Sequence, residues 1–209
     1  MSYHRAWNTV PVNTPSPTPI TRVPTIAPSS SRYQSSPSPG GPSHRRYSKG
    51  NVTEILPRLY ISDLSFAENP GMLSTYRITH ILSVLPETIA IPPPSILPRQ
   101  PHRLQIKVED FPFAELAAHL PSTTKWIRDA LARDPEARVL VHCAEGISRS
   151  VSVVAAFLMA SYGWNPKEAV GYIKERRGVA NPNFGFVQQL YEYGREVLGQ
   201  RGEIPRCPS

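Results

Sequence analysis

The sequence predicts an α/β fold in which a mixed central β-sheet of about five strands is flanked by helices. Short apolar segments of strand length alternate with segments whose apolar residues recur at helical spacing. This alternation extends over about 150 residues, which is the size of one compact domain with its own core. Residues 51–199 are therefore predicted to form the folded domain.

The five predicted strands are short runs rich in Val, Ile and Leu. In chain order they are Val52–Ile55, Leu59–Ile61, Thr79–Val84, Arg103–Val108 and Val139–His142. The run from Ile91 to Pro98, between the third and fourth strands, is too rich in proline for a helix or an inner strand. We expect a loop insertion there, with a rigid connector as its role and partner docking as the alternative.

Helices are predicted from caps and from apolar spacing. The first helical pattern ends at Asp134-Pro135, and its apolar residues are Trp126, Ile127, Ala130 and Leu131. The next begins at Asn165, an N-cap that is followed by a proline in the first turn and by Glu168 at the third helical position. Asn183 is placed to cap a last helix, whose apolar residues are Phe186, Val187, Leu190, Val197 and Leu198.

Residues 1–50 differ in composition from the rest of the chain. They contain nine of the 24 prolines, many Ser and Thr, and no Asp or Glu. Such a segment cannot bury enough apolar surface to offset its ordering entropy, so we expect a disordered basic tail. Its six Lys and Arg account for most of the net charge of +7, so no basic nucleic-acid-binding face is expected on the domain. Residues 200–209 are predicted to be a short C-terminal tail.

The main functional signal is the loop from Cys143 to Arg149, which follows the fifth strand and leads into an apolar helix that opens at Ser150. Such a loop can wrap its backbone N–H groups around a tetrahedral anion at the positive end of the helix. The same donors favour a nucleophilic thiolate on Cys143. Arg149 can hold two phosphate oxygens with its planar guanidinium. These groups together suit attack on a phosphate ester.

The run from His142 to Ser150 resembles the signature loop of the cysteine-based protein tyrosine phosphatases, and it is most similar to that of the small (atypical) dual-specificity phosphatases. Four further segments carry the resemblance: Asn51–Ser62, Ile78–Val84, Ala156–Met159 and Asn181–Phe186. The resemblance covers about residues 51–199. It implies that 51–199 is a dual-specificity phosphatase catalytic domain that works through a phosphocysteine, with no cofactor.

Site roles follow from the chemistry and from this resemblance. The leaving group needs a proton, and the resemblance places the general acid in the loop after the fourth strand, where Asp110 is the predicted acid and Glu109 the alternative. Ser150 is expected to hydrogen-bond the Cys143 sulfur. The residues expected to surround the substrate phosphate are Ala144, Glu145, Gly146, Ile147, Ser148 and Arg149. The residues expected to give structural support are His142 and Asn183.

The variable positions of the loop indicate a phosphoprotein substrate. Ala144, Glu145 and Ile147 carry no positive charge, whereas relatives that act on phosphoinositides typically have Lys or Arg there. The shortness of the domain indicates a shallow pocket that accepts both phosphotyrosine and phosphoserine or phosphothreonine. Two alternatives stay open: a catalytically idle protein that binds phosphoproteins as a scaffold, and a phosphatase that acts on a lipid or RNA phosphate.

Cysteine use and hydropathy set expectations for location and partners. Cys143 and Cys207 are the only cysteines, which argues against a disulfide framework and against a zinc site of Cys/His type. No apolar run reaches transmembrane length, and the N-terminus lacks a secretory core. We therefore expect a protein of the cytoplasm and/or nucleus, with no metal and no membrane span. Ser-Pro and Thr-Pro pairs in the tail resemble sites of proline-directed kinases, so a kinase is a candidate second partner.

Overall fold

The structure is a computed structural model that describes residues 51–89 and 100–199. The predicted tails, 1–50 and 200–209, lie outside the described residues. So do Cys207 and the proline-rich run from Ile91 to Pro98.

A single mixed sheet organises the domain. Its strands are β1 (Val52–Leu56), β2 (Leu59–Ser62), β3 (His80–Val84), β4 (His102–Ile106) and β5 (Val139–His142). They lie in the order β1-β2-β5-β3-β4; β1 pairs antiparallel with β2, and all the other pairs are parallel. The predicted fold class, a mixed sheet of five strands flanked by helices, is confirmed.

Helices cover both faces of this sheet. They are α1 (Leu64–Ala67), α2 (Pro70–Thr75), α3 (Leu120–Arg133), α4 (Arg149–Tyr162), α5 (Pro166–Arg176) and α6 (Phe184–Glu196), and a 3₁₀ turn spans Ala117–His119. The sequence did not predict α1 and α2, because four and six residues are too few to display a helical period. Their caps are visible in hindsight, since the side chains of Asp63 and Asn69 accept hydrogen bonds from backbone N–H groups three residues later.

Alternation along the strands separates two apolar layers. Leu59 and Ile61 of β2 belong to the large cluster that includes Val154 of α4, whereas Tyr60 between them packs with Phe66 of α1. Helix α4 packs against α3, α5 and α6, which explains why its sequence is apolar nearly all round. None of the helices within 51–89 and 100–199 is both long and apolar enough to cross a membrane.

Several element boundaries differ by one or two residues from the predicted ones, and three of them bear on the site or on the last helix. Strand β4 ends at Ile106 and not at Val108, because the Val108 carbonyl leaves the sheet and accepts a hydrogen bond from Arg149. Helix α4 begins at Arg149, one residue before the predicted start. Helix α6 ends at Glu196, so Val197 is its exposed C-cap and not part of its apolar face.

The parallel strands place their carboxyl ends at one edge of the sheet. Ser62 of β2 and Ser83 of β3 lie in register with His142, the last residue of β5. The segments that follow β4 and β5 carry Asp110 and Cys143 and leave the sheet at this same edge. Ligand sites of α/β proteins lie outside the carboxyl ends of parallel strands, so this edge is the candidate site.

Candidate active site

The carbonyl groups of the loop between β5 and α4 turn away from its interior. Five successive carbonyl oxygens accept hydrogen bonds, at 2.7 to 3.4 Å, from donors that lie outside the loop. The acceptors are Ala144, Glu145, Gly146, Ile147 and Ser148, and the donors are Leu64, Arg177, Asn181 and Ser152. In a trans peptide the N–H points opposite to the C=O, so the N–H groups that follow these carbonyls line the concave side. The loop therefore presents a row of backbone N–H donors to its concave side.

The Cys143 sulfur lies against one donor of the loop and one of helix α4. The N–H of Gly146 donates to Sγ at 3.2 Å, and the Ser150 hydroxyl lies 3.3 Å from Sγ. Cys143 is a free, buried cysteine at the end of the central strand. Hydrogen bonds that point at sulfur stabilise a thiolate relative to a thiol, so this position favours a nucleophile.

Gly146 is a position where only glycine fits. Its φ is +68°, in the left-handed region, and a Cβ built there would lie 2.5 Å from the Ser62 carbonyl oxygen and 2.6 Å from Arg177 Nη2. Any side chain would therefore push the loop away from the sheet edge that supports it. The glycine is needed both for the turn and for this close approach.

Arg149 is the first residue of α4, and its side chain is buried in spite of its charge. Its Nη1 donates to the Val108 carbonyl at 3.2 Å. Its Nε lies 3.4 Å from Asp110 Oδ2 but is not directed at that oxygen, and it has no hydrogen-bond acceptor among the described residues. We regard the 3.4 Å contact as a charge–charge interaction only. The guanidinium thus keeps donor capacity next to the loop.

Asp110 is held at the same place by two polar side chains. Its Oδ1 accepts hydrogen bonds from the Ser148 hydroxyl at 2.7 Å and from Asn183 Nδ2 at 2.8 Å. Ser148 is the N-cap residue of α4, but among the described residues its hydroxyl does not cap that helix. Asn183 caps α6 through its Oδ1, as the sequence predicts, while its amide nitrogen binds Asp110. Asp110 and Glu109, the alternative acid, are both exposed, so the hydrogen bonds from Ser148 and Asn183 are what favours Asp110.

His142 supports the loop from below. Ser83 Oγ lies 2.8 Å from Nε2, and the carbonyl oxygen of Cys143 lies 3.4 Å from Nδ1. Burial lowers the pKa of His142 to about 4, although the Cys143 carbonyl and Asp63 act in the opposite direction. The ring is therefore neutral at pH 7. Because a carbonyl can only accept, the proton belongs on Nδ1, and the Ser83 hydroxyl donates to Nε2.

Arg177 is a functional residue that sequence reasoning missed. It follows α5 and is buried; its Nε donates to the Gly146 carbonyl at 2.7 Å, and its Nη2 to that of Glu145 at 3.4 Å. Its Nη1 also ties the loop to β1, through Asn51 and Thr53. Burial lowers the pKa of the guanidinium, while Asp63 and Cys143 raise it. No local motif marks this arginine, because its partners lie far away in sequence.

The structure brings most of the predicted site residues to one place. Cys143, Arg149, Asp110 and Ser150 are linked through Ser148 and the loop backbone. The loop residues that face solvent are Ala144 and Glu145, and Ile147 is half-buried. The arrangement places a cysteine sulfur, a guanidinium, a row of backbone donors and a carboxyl group together, which is a set suited to binding a phosphate group and to nucleophilic attack on it.

Comparisons with known proteins identify the family of this chain. A family model described as "Dual specificity phosphatase, catalytic domain" matches residues 59–196. Dual specificity protein phosphatase 5 of Rattus norvegicus is 36% identical over 163 residues, which is 78% of this chain and 40% of that protein. Dual specificity protein phosphatase 15 of Mus musculus is 36% identical over 162 residues, which is 74% of this chain and 66% of that protein. The chain thus spans about two-fifths of the length of the first of these relatives.

A solved structure shares the fold. The crystal structure of human tyrosine phosphatase-like serine/threonine/tyrosine-interacting protein has a TM-score of 0.63 and 32% sequence identity, and it covers 70% of this chain and 97% of that chain. The family match extends over more than half of the present sequence and includes Asp110, Cys143 and Arg149. The fold and these matches together show that the chain belongs to the dual-specificity phosphatase family.

Proposed function

We propose that this chain is a protein phosphatase that hydrolyses phosphotyrosine and phosphoserine or phosphothreonine through a phosphocysteine intermediate. The observation that carries the proposal is the meeting of three groups at one edge of the sheet: the Cys143 sulfur, the Arg149 guanidinium and the Asp110 carboxyl group. The family membership supports it, since named relatives are dual specificity protein phosphatases.

In the first step the Cys143 thiolate attacks phosphorus, and the bond from phosphorus to the side-chain oxygen of the substrate breaks. The inward N–H groups of the loop and Arg149 bind the three remaining phosphoryl oxygens. Asp110 gives its proton to the departing oxygen. Its Oδ1 is already occupied by Ser148 and Asn183, so Oδ2 is the oxygen that carries this proton. The products are the dephosphorylated hydroxyl and a phosphocysteine.

In the second step water attacks the phosphocysteine, and the Asp110 carboxylate accepts a proton from that water. The bond from sulfur to phosphorus breaks, its electron pair returns to Cys143, and inorganic phosphate leaves. Ser150, 3.3 Å from the sulfur, donates a hydrogen bond that stabilises the returning thiolate. Each step leaves Asp110 in the protonation state that the next step needs.

The charge around the loop supports a phosphoprotein as the substrate. Glu145 is exposed at the loop, and the neighbouring positions Ala144 and Ile147 carry no charge. A head group with several phosphates would meet the negative charge of Glu145 with no nearby loop cation beyond Arg149. A single phosphate ester on a protein side chain places less negative charge there.

Turnover of a small aryl phosphate tests the proposal directly. The parent chain should hydrolyse it, and Cys143→Ser should reduce kcat by far more than tenfold, because the phosphocysteine cannot form. Cys207→Ser serves as the matched control and should keep the parental rate. Residual Cys143→Ser activity within about tenfold of the parent would remove Cys143 as the nucleophile.

The same assay separates the two alternative functions. One solved relative is named tyrosine phosphatase-like and an interacting protein, which keeps a scaffold role in view for this chain. A parent chain that binds phosphopeptides but does not turn over aryl phosphate would be such a scaffold. Hydrolysis of phosphoinositide or of 5′-phosphorylated RNA in preference to phosphopeptides would instead indicate a lipid or RNA phosphatase.

We also propose that the protein works in a reducing compartment, in the cytoplasm and/or nucleus. The mechanism needs Cys143 as a free thiol, and with two cysteines in the chain a disulfide framework is not expected. Fractionation of cells that produce the full chain tests this location. Recovery in a secretory compartment would contradict it.

A further inference from the structure

Two phenylalanines on the segment that carries Asp110 face solvent. Phe113 is 98% exposed and Phe111 is 60% exposed, whereas most apolar side chains of the domain are buried. Both lie on the Asp110 loop, by which we mean residues 107–116. Single exposed apolar residues are common, but two on one short segment beside a reactive carboxylate form a patch.

The Asp110 loop is held in place by α6. Gly185 approaches it so closely that a Cβ there would lie 1.8 Å from the Pro112 carbonyl oxygen. Gln189 accepts hydrogen bonds from the N–H groups of Leu116 and Ala117, both at 2.8 Å, and donates to the Ala114 carbonyl at 2.9 Å. Asn183 holds the Asp110 end. The exposure of the phenylalanines is therefore a property of a fixed backbone, not of a loose one.

A shallow surface cavity of about 480 Å³ lies beside the two rings. Phe111, Phe113 and Ala114 line it, together with ionisable side chains of both signs, among them Lys107 and Glu115. The two carboxylates of Glu109 and Glu115 outnumber the ammonium of Lys107, so the cavity does not favour an acidic side chain. Apolar contact with the rings of Phe111 and Phe113 is the main interaction that the cavity offers.

The cavity is within reach of a substrate chain bound at the loop from Cys143 to Arg149. Phe113 is three residues from Asp110, so their Cα atoms are at most about 11 Å apart. An extended peptide advances about 3.3 Å per residue. A side chain two to four residues from the phosphorylated one can therefore reach the rings while the phosphate is in the loop.

We infer that Phe111 and Phe113 form a specificity site that binds an apolar side chain of the phosphoprotein, within about four residues of the phosphorylated residue. This inference rests on the proposed function and names the substrate class more closely. Preorganisation by α6 means that little ordering cost is paid on binding, so burial of the exposed ring contributes to affinity.

A phosphopeptide panel tests the inference. Each peptide has one phosphorylated residue in a Ser/Ala background, with a single Leu or Phe moved through the flanking positions. At one or two positions the apolar residue should raise kcat/KM about tenfold, mainly through KM. Phe113→Ala should remove that gain and leave aryl phosphate turnover at the parental level. Phe113→Leu should retain part of it.

Val197→Ala is the matched control, because Val197 is also exposed but lies past the far end of α6. It should leave the panel unchanged. If no position of Leu or Phe changes kcat/KM in a parent chain that still hydrolyses aryl phosphate, this inference alone is overturned. Equal losses of peptide and aryl phosphate turnover in Phe113→Ala also overturn it, since they indicate a disturbed Asp110 loop. A parent chain with no turnover of any kind overturns the proposed function, and this inference with it.

Discussion

At the scale of single residues, the candidate site depends on Asp110 being held by its neighbours. Ser148 and Asn183 both donate to Oδ1, and Arg149 lies near Oδ2, so one carboxylate oxygen is fixed and the other faces the reaction. The hydroxyl of Ser148 would ordinarily cap its helix. Here it donates to Asp110 instead, which links the carboxyl group directly to the loop from Cys143 to Arg149.

Asp110→Asn tests the general acid. An amide cannot give up a proton to the leaving oxygen, so kcat should fall by roughly 10²–10⁴ for substrates with poor leaving groups and much less for good ones. A pH–rate profile measured with both leaving groups checks this, and the basic limb should disappear in the variant. The neighbouring Glu109→Gln is the control. If Glu109→Gln removes the basic limb and Asp110→Asn keeps it, Glu109 is the acid.

His142 gives the domain a pH-dependent stability. Its pKa is about 4 in the folded chain and near the ordinary 6.5 when unfolded, so below pH 6.5 the unfolded state takes up the proton first. Stability is therefore full above pH 6.5 and is lost as the pH falls toward 4. The free energy of unfolding should be about 2 kcal/mol lower at pH 5 than at pH 7.5 from this residue alone.

Urea denaturation of the parent and of His142→Gln at the two pH values measures that contribution. The variant should lose less stability on acidification than the parent, although some loss should remain because burial also lowers the pKa of His80. Equal losses in the two proteins would show that His142 is not the residue responsible.

At the scale of elements, α6 positions the Asp110 loop, and Arg177 positions the loop from Cys143 to Arg149. The N-terminal part of α6 supplies Asn183, Gly185 and Gln189, each of which meets residues 110–117. Arg177, just past α5, joins the carbonyls of Glu145 and Gly146 to strand β1. The two loops of the site are thus both supported from the region where α5 ends and α6 begins.

Gly185→Ala tests the contact between α6 and the Asp110 loop. The new Cβ would overlap the Pro112 carbonyl oxygen, so the loop must move and Asp110 with it. We expect kcat for poor leaving groups to fall at least about tenfold, since general acid catalysis needs hydrogen-bond distance. Gly171→Ala is the control, because a Cβ at that helical position meets nothing within 4 Å. Parental kcat in a folded Gly185→Ala protein would contradict the positioning role.

At the scale of the whole molecule, all the predicted site residues fall within residues 51–199 of the sequence. The N-terminal segment has the composition of a charged tail and supplies none of the predicted site residues. The chemistry should therefore belong to the domain by itself.

Removal of residues 1–48 tests this independence. The truncated chain should keep kcat/KM for a small aryl phosphate within about threefold of the value for the full chain. The reason is that the composition of the removed segment predicts no fixed structure. Steady-state kinetics beside a thermal unfolding curve measure both activity and folding. A large loss of activity in a truncated chain that still folds would mean that the segment completes the site.

The sequence by itself predicted the strands, the main helices and the run from Cys143 to Arg149, because each of these depends on neighbours in sequence. Strand and helix periods, the caps at Asn165 and Asn183, and a strand–loop–helix motif are all local patterns. Tertiary structure alone decided that Arg177 holds the loop, that Gly185 and Gln189 hold the Asp110 loop, and that Phe111 and Phe113 stay exposed. Arg177, Gly185 and Gln189 each contact residues that lie tens of positions away in the chain, and only folding brings such distant groups within hydrogen-bond or van der Waals distance. The exposure of a side chain likewise depends on the whole fold.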